Sequence, residues 1–222
     1  MKTFKTLLLA GLVTISFISC ETEEANQNSP EVSQEELGDV NDILAKAIAE
    51  TPAPKNDQPL QTVEFVQVDK YVGQWFELAN YPSFFGQGCS CTTANYSPID
   101  GGIAVFNECT LLADGASNGI NGQALVADSA TNSKFKLSFG GPFVGDYWII
   151  DLVDFNEETP YDFAVVSDPT RTQLFLLSRT PKITTFRQKF ALFRLFVGMI
   201  RQGFDLTKLE VTPQLDGCVY PS

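Results

Sequence analysis

The chain contains no histidine. Without an imidazole, Ser-His-Asp and Cys-His nucleophilic systems, His-ligated zinc and His-bound haem are all excluded. Positive charge is scarce as well: 15 Lys and Arg stand against 27 Asp and Glu, a net charge of -12. A nucleic-acid binder needs a basic footprint, so no nucleic-acid partner is expected. There is no phosphate-cradling glycine loop and no EF-hand loop, and neither a metal nor another cofactor is expected. After the first 20 residues, no apolar run is long enough to span a bilayer. Apolar side chains are otherwise plentiful, at 44% of the chain with 18 Phe, ample for the core of one domain plus extra segments.

The N-terminal segment accounts for part of that content. Lys2 and Lys5 precede an apolar run, Leu7 to Ile18, of signal-peptide length, ending in Phe17-Ile18-Ser19-Cys20. This ending resembles a bacterial lipobox, although Phe17 stands where leucine is usual. The resemblance implies that residues 1–19 are a lipoprotein signal and that Cys20 becomes the lipidated N-terminus. An ordinary secretory signal cut near Ser19 is the alternative. The implied location is the outer membrane, lipid-anchored on its periplasmic side or at the cell surface. From Glu21 to about Leu60 ten acidic residues face only Lys46 and Lys55. One helical pattern (Val40, Ile43, Leu44, Ala47, Ile48) is followed by Pro52, Pro54 and Pro59. Residues 20–60 are therefore expected to be an acidic tether with a marginal helix, because so little apolar surface cannot offset the ordering entropy. The run Glu21-Thr22-Glu23-Glu24 resembles the acidic export signal of some surface lipoproteins, and reads equally as a solvated spacer.

Residues 61–222 form the globular unit. Short runs follow one another, approximately at 74–81, 91–98, 102–109, 120–127, 134–140, 146–152, 161–167 and 173–179. Several alternate with period two between turn signals such as Asp100-Gly101-Gly102, Asp114-Gly115 and Asp168-Pro169. Eight such runs without interleaved helices predict an all-β antiparallel sandwich or barrel. One helix follows them: Thr185-Phe186-Arg187-Gln188 fits a capping box, and Phe186, Phe190, Phe193, Val197, Ile200 and Phe204 form one stripe. Leu192, Leu195, Phe196 and Met199 form a second apolar surface, read either as part of a broad docking face or as a contact for a membrane or partner.

The segment Val68-Asp69-Lys70-Tyr71-Val72-Gly73-Gln74-Trp75-Phe76-Glu77-Leu78-Ala79 resembles the first signature of the lipocalins. Asp69 can cap the short turn, Gly73 can take the positive φ that ends it, and Trp75 can plug the closed end of a barrel. Leu174 to Pro181 resembles the third signature, in which the arginine, here Arg179, lies across that tryptophan. The stretches Cys91–Ser97, Gly141–Trp148 and Val211–Gln214 are similar to the bacterial and apolipoprotein D-like branch. The resemblance runs from about Val66 to Cys218; its middle signature is degraded around 152–167, where Phe155–Pro160 looks like a lengthened turn.

The resemblance implies an eight-stranded antiparallel up-and-down barrel with one C-terminal α-helix packed on its outside. It makes Gly73, Trp75 and Arg179 structural, and it makes Tyr96, Asn107, Trp148 and Phe175 the lining of a ligand cavity. Trp148 and Phe175 would be apolar walls, Tyr96 and Asn107 hydrogen-bonding handles. It also implies a Cys91–Cys218 disulfide, leaving Cys89 and Cys109 to join neighbouring strands; spacing alone equally permits Cys91–Cys109 with Cys89–Cys218. The function it implies is non-enzymatic binding and transport or storage of a small hydrophobic partner, such as a fatty acid, a lysophospholipid or a similar lipid, in the cell envelope. The alternative is a lipocalin-fold enzyme acting on a lipid or isoprenoid through a strand cysteine (Cys89, Cys91 or Cys109) or a cavity acid. Whether the protein forms a homodimer is left open. Gly115-Ala116-Ser117-Asn118-Gly119 matches a hydrolase elbow in letters alone, in a hairpin and with no histidine to activate Ser117.

Overall fold

The computed structural model describes residues 38–53, 58–83 and 86–220; the leader, Cys20 and the Glu21–Glu24 run lie outside the described residues. Eight strands follow in order: β1 (Gly73–Asn80), β2 (Cys89–Ile99), β3 (Gly102–Leu111), β4 (Ser117–Val126), β5 (Lys134–Ser138), β6 (Gly145–Val153), β7 (Phe163–Ser167) and β8 (Leu174–Ser178). Each is antiparallel to the one before it, and β1 pairs with both β2 and β8, which closes the sheet into a barrel. The predicted architecture is therefore present, with strand bounds within a few residues of the predicted runs. A two-residue strand, β9 (Glu210–Val211), adds to β1 at Ala79 and Asn80.

Alternation along the strands separates two buried clusters. Trp75, Ala94, Tyr96, Ile103, Val105, Ala124, Phe135, Tyr147, Ile149, Ala164, Val166 and Leu177 share the barrel interior. Leu78, Ile150, Phe163, Val165, Leu174 and Leu176 point outward beneath a helix, α3 (Phe186–Arg201). All five residues of β7 are buried because both of its faces are covered.

Thr185 and Gln188 form the predicted capping box of α3: the Thr185 hydroxyl accepts from the Gln188 N–H, and the Gln188 side chain accepts from the Thr185 N–H. A second helix, α1 (Val40–Glu50), packs against α3 from the segment read as a tether. Its Ile43, Leu44 and Ala47 join the same cluster as Leu192, Leu195, Phe196 and Met199, all of them buried. The second apolar face of α3 is thus covered from within the chain, which overturns the reading of that face as a contact for a membrane or partner. The reason is that α1 supplies the matching apolar stripe, and burial in a shared core stabilises a helix too short to persist alone.

Antiparallel topology puts the β1–β2, β3–β4, β5–β6 and β7–β8 connections at one end of the barrel, the mouth. At the other end, the floor, residues 61–67 and the one-turn helix α2 (Val68–Tyr71) cross the opening. There the Val63 N–H donates to the Ile149 carbonyl and the Val66 N–H to the Thr131 carbonyl. Asp69 does not cap α2. Gln67 occupies the cap position with no side-chain bond, and Asp69 already lies within the turn.

Candidate functional site

At the floor, Gly73 takes φ +97°, turning the chain sharply from α2 into β1. Trp75, fully buried, then points into the barrel and donates from its indole N–H to the Tyr71 carbonyl at 2.8 Å. The Arg179 guanidinium lies 3.7 Å from the Trp75 ring centroid. Its N–H groups reach five backbone carbonyls: Tyr161 at 3.0 Å, Gln74 at 2.6 Å, Lys70 at 2.9 Å, Tyr71 at 3.1 Å and Val72 at 3.0 Å. Three of these belong to the end of α2, where carbonyls lack helical partners and a cation is favoured. Burial lowers the pKa of Arg179 to about 10, which still leaves it charged at neutral pH. Gly73, Trp75 and Arg179 together form a plug at this end of the barrel.

Directly above the plug, three tyrosines meet. The Tyr147 hydroxyl is 2.6 Å from that of Tyr71 and 3.0 Å from that of Tyr96. Tyr71 stacks on Tyr96, with ring centroids 5.7 Å apart. Burial raises all three pKa values, Tyr96 to about 12 and the other two well above the ordinary tyrosine range.

Towards the mouth the interior changes. Asn107 lies opposite Ala94 on β2 and Ile120 on β4, so it faces inward, and its buried Oδ1 has no hydrogen-bond partner. Ile120, Leu137, Phe139 and Phe175 also face inward and are only half-buried. Gly122 keeps room here: a Cβ would come within 2.6 Å of the Phe139 ring, which lies over its backbone. On the β5–β6 connection at the rim, Phe143 is 85% exposed.

Of the four residues expected to line a cavity, Tyr96, Asn107 and Phe175 are on the interior face. Trp148 is not. It pairs with Lys134 and Ser167, packs against the outer cluster, and carries the Lys134 ammonium 4.7 Å from its ring centroid. The inward aromatic of β6 is its neighbour Tyr147. A bulge between Ile149 and Asp151 places Leu152 on the interior face with Ile149, while Trp148 and Ile150 belong to the outer cluster.

At the seam where β1 diverges from β2, the C-terminal tail fills the gap. The Cys91 N–H donates to the Pro213 carbonyl at 2.8 Å, and the Gln214 amide donates to the Glu77 and Thr92 carbonyls. Disulfides join Cys91 to Cys218 and Cys89 to Cys109. All four described cysteines are therefore paired, and none offers a thiol for covalent chemistry. Beside this seam is a pocket of about 310 Å3 whose lining includes Glu77, Asn80, Thr92, Leu112, Glu210 and Thr212.

Sequence reasoning passed over Glu77. It sits opposite Leu177 in the register, hence on the interior face, and burial raises its pKa above the ordinary 4.5, against the hydrogen bonds from Thr212 and Asn80. The available signal was its spacing: Trp75 and Glu77 are two apart on one strand, so they share a face. Among the described residues no group of His, Cys, Asp or Glu could hold a metal ion.

Residues 66–214 match the model of the lipocalin-like domain family. The outer membrane lipoprotein Blc of Vibrio cholerae is 32% identical over 163 residues, covering 72% of this chain and 88% of that protein. Temperature-induced lipocalin-1 of Arabidopsis thaliana is 31% identical, covering 71% of this chain and 84% of its own length. Among solved structures, insecticyanin from the tobacco hornworm Manduca sexta superposes with a TM-score of 0.56 at 17% identity, covering 75% of this chain and 88% of its own, a likeness of fold.

Proposed function

This chain belongs to the lipocalin family, and from that premise we propose that it carries lipids, fatty acids or lysophospholipids and their relatives, in the bacterial envelope. One observation supports the reading most: the interior passes from a fully buried floor to half-buried apolar side chains at the mouth, among them Ile120, Leu137 and Phe175. Such a graded interior suits an oily guest entering from one end, with Asn107 and Tyr96 as polar handles. Lipidation at Cys20 would hold the protein at the outer membrane, in keeping with the Vibrio relative, an outer membrane lipoprotein by name. Transport or storage then needs no chemistry, and the pairing of Cys89, Cys91 and Cys109 in disulfides weighs against the strand-cysteine enzyme. The test is titration of delipidated protein with a fluorescent fatty-acid analogue, competed by unlabelled lysophospholipid. Saturable binding that weakens in Phe175→Ala is expected; no binding of any amphiphile would overturn the proposal.

A further inference from the structure

The pocket at the β1–β2 seam is unusual in what it offers a guest. The Glu77 carboxyl accepts from the Asn80 amide at 2.7 Å and from the Thr212 hydroxyl at 2.7 Å, and both bonds fall on Oε1. Oε2 accepts from no protein group. The Asn80 Nδ2 also donates to the Thr212 hydroxyl at 3.2 Å, so its donors are engaged while its carbonyl oxygen has no donor. Thr92 Oγ1 is buried with no partner at all. Three side-chain oxygens lining one pocket are thus unpaired: Glu77 Oε2, Asn80 Oδ1 and Thr92 Oγ1. Of these only Thr92 Oγ1 is buried; leaving it dry and unpaired is costly, and a ligand that pairs with it removes the cost.

Charge narrows the choice. Among the described residues lining the pocket, Glu77 and Glu210 are acidic and none is Lys or Arg. An anionic head would meet repulsion there with no compensating cation. The pocket is also continuous in register with the apolar wall, since Glu77 lies opposite Leu177 and Asn80 opposite Phe175. Phe175, outside the pocket but opposite Asn80, would then be the apolar neighbour for the hydrocarbon of a head group held here. A primary ammonium has three donors, no acceptor and a positive charge, which is the complement of three acceptors of which one belongs to a carboxylate.

We propose that the seam pocket selects amphiphiles carrying a primary ammonium group, with Glu77 as the charged partner. This deepens the lipid-carrier reading and rests on it. The experiment compares dodecylamine with dodecanol, equal in chain length, on the full delipidated protein at neutral pH by calorimetry, in wild type and in Glu77→Gln. The amine should bind wild type about tenfold more tightly than the alcohol, as one charge-assisted contact provides. In Glu77→Gln that preference should fall to within about twofold, with dodecanol affinity unchanged. Equal affinities of amine and alcohol in wild type would overturn the head-group assignment while leaving the carrier reading intact. So would an undiminished preference in the variant. If neither compound binds wild type, both readings fall together. The wild-type comparison decides alone if the variant does not fold, which its dodecanol affinity and near-ultraviolet circular dichroism report.

Discussion

The floor and the mouth of the barrel are made from the same eight strands, yet their inward side chains meet different fates. At the floor Trp75, Ile103, Ala124, Phe135 and Ile149 have no exposed surface, and the Trp75 indole N–H finds the Tyr71 carbonyl. At the mouth Asn107 and Thr92 keep buried oxygens without partners, and Phe175 is half-buried. On the inward face the floor is organised for stability, and the mouth retains unpaired groups that a folded chain alone has no reason to keep. One strand can serve both ends because burial along it is set by depth and by facing. β3 shows this over five residues: Ile103 is sealed, Val105 nearly so, and Asn107 is open to the interior.

The sharpest way to break that contrast is to truncate one aromatic at each end. Trp75→Ala should cost about 3–5 kcal/mol, as for a fully buried aromatic, and should also leave the Arg179 guanidinium without its ring. Phe175→Ala should cost clearly less stability and instead weaken amphiphile binding, because part of its ring already faces open space. Urea denaturation of both variants, followed by ligand titration, checks this. Equal stability losses would erase the distinction between plug and wall.

A smaller effect separates the two disulfides. Cys91–Cys218 closes 127 residues and ties the tail into the β1–β2 seam, whereas Cys89–Cys109 closes 20. In the chain-entropy account the longer link should contribute about 1–2 kcal/mol more than the shorter. Paired serine replacements of each disulfide, compared by denaturation midpoint, measure the difference. A larger loss from the short link would place the mouth's stability in the β2–β3 hairpin and not in the tail.

A titration probes the floor without mutation. Tyr71, Tyr96 and Tyr147 have raised pKa values because ionising them would bury an anion. Phenolate absorbance should therefore lack the contribution of these three of the six tyrosines until the pH approaches about 12, the value reached by Tyr96, or the barrel unfolds. Ionisation of any of the three at lower pH in the folded protein would mean that the floor admits water.

The two ends also differed in how well they could be read beforehand. The floor was legible because its residues are forced: a positive φ at Gly73 and a large ring at Trp75 answer steric demands close in sequence, and the cation at Arg179 sits in a second signature whose partner is that ring. Strand positions followed from alternation and turn residues. The mouth was less so. The resemblance placed Tyr96, Asn107 and Phe175 on the interior face, where they lie, but also Trp148, whose neighbour Tyr147 points inward instead; the bulge that follows in β6 interrupts the alternation that could have corrected this, and nothing local in Trp148-Ile149-Ile150-Asp151 announces it. The role of α1 was equally hidden: its stripe of Ile43, Leu44 and Ala47 is too small to hold a helix alone, and only the distant face of α3 gives it a partner. Glu77 lay in plain view within a signature, yet a charged residue on an inward strand position becomes notable only once the barrel closes around it.

The smallest effect predicted concerns that residue. Burial raises the Glu77 pKa in the folded protein above its ordinary 4.5, outweighing the hydrogen bonds from Thr212 and Asn80 that favour the carboxylate. The folded state therefore holds the proton more tightly than the unfolded chain. The stability from this difference is fully present below pH 4.5 and is lost as the pH rises through the folded pKa. Glutamine cannot ionise, but its Oε1 can still accept from Asn80 and Thr212. Glu77→Gln should then match wild type in acid and exceed it in thermal midpoint near neutral pH, with the gap opening as pH rises. Asp151, whose pKa burial also raises, is present in both proteins and cancels from the difference. A gap that is constant with pH would show that folding leaves the Glu77 pKa unchanged. A gap that opens as predicted would mean the mouth retains a carboxylate at a cost to the fold. No such group occurs in the plug below it, and that is the expected mark of a residue kept for what it binds.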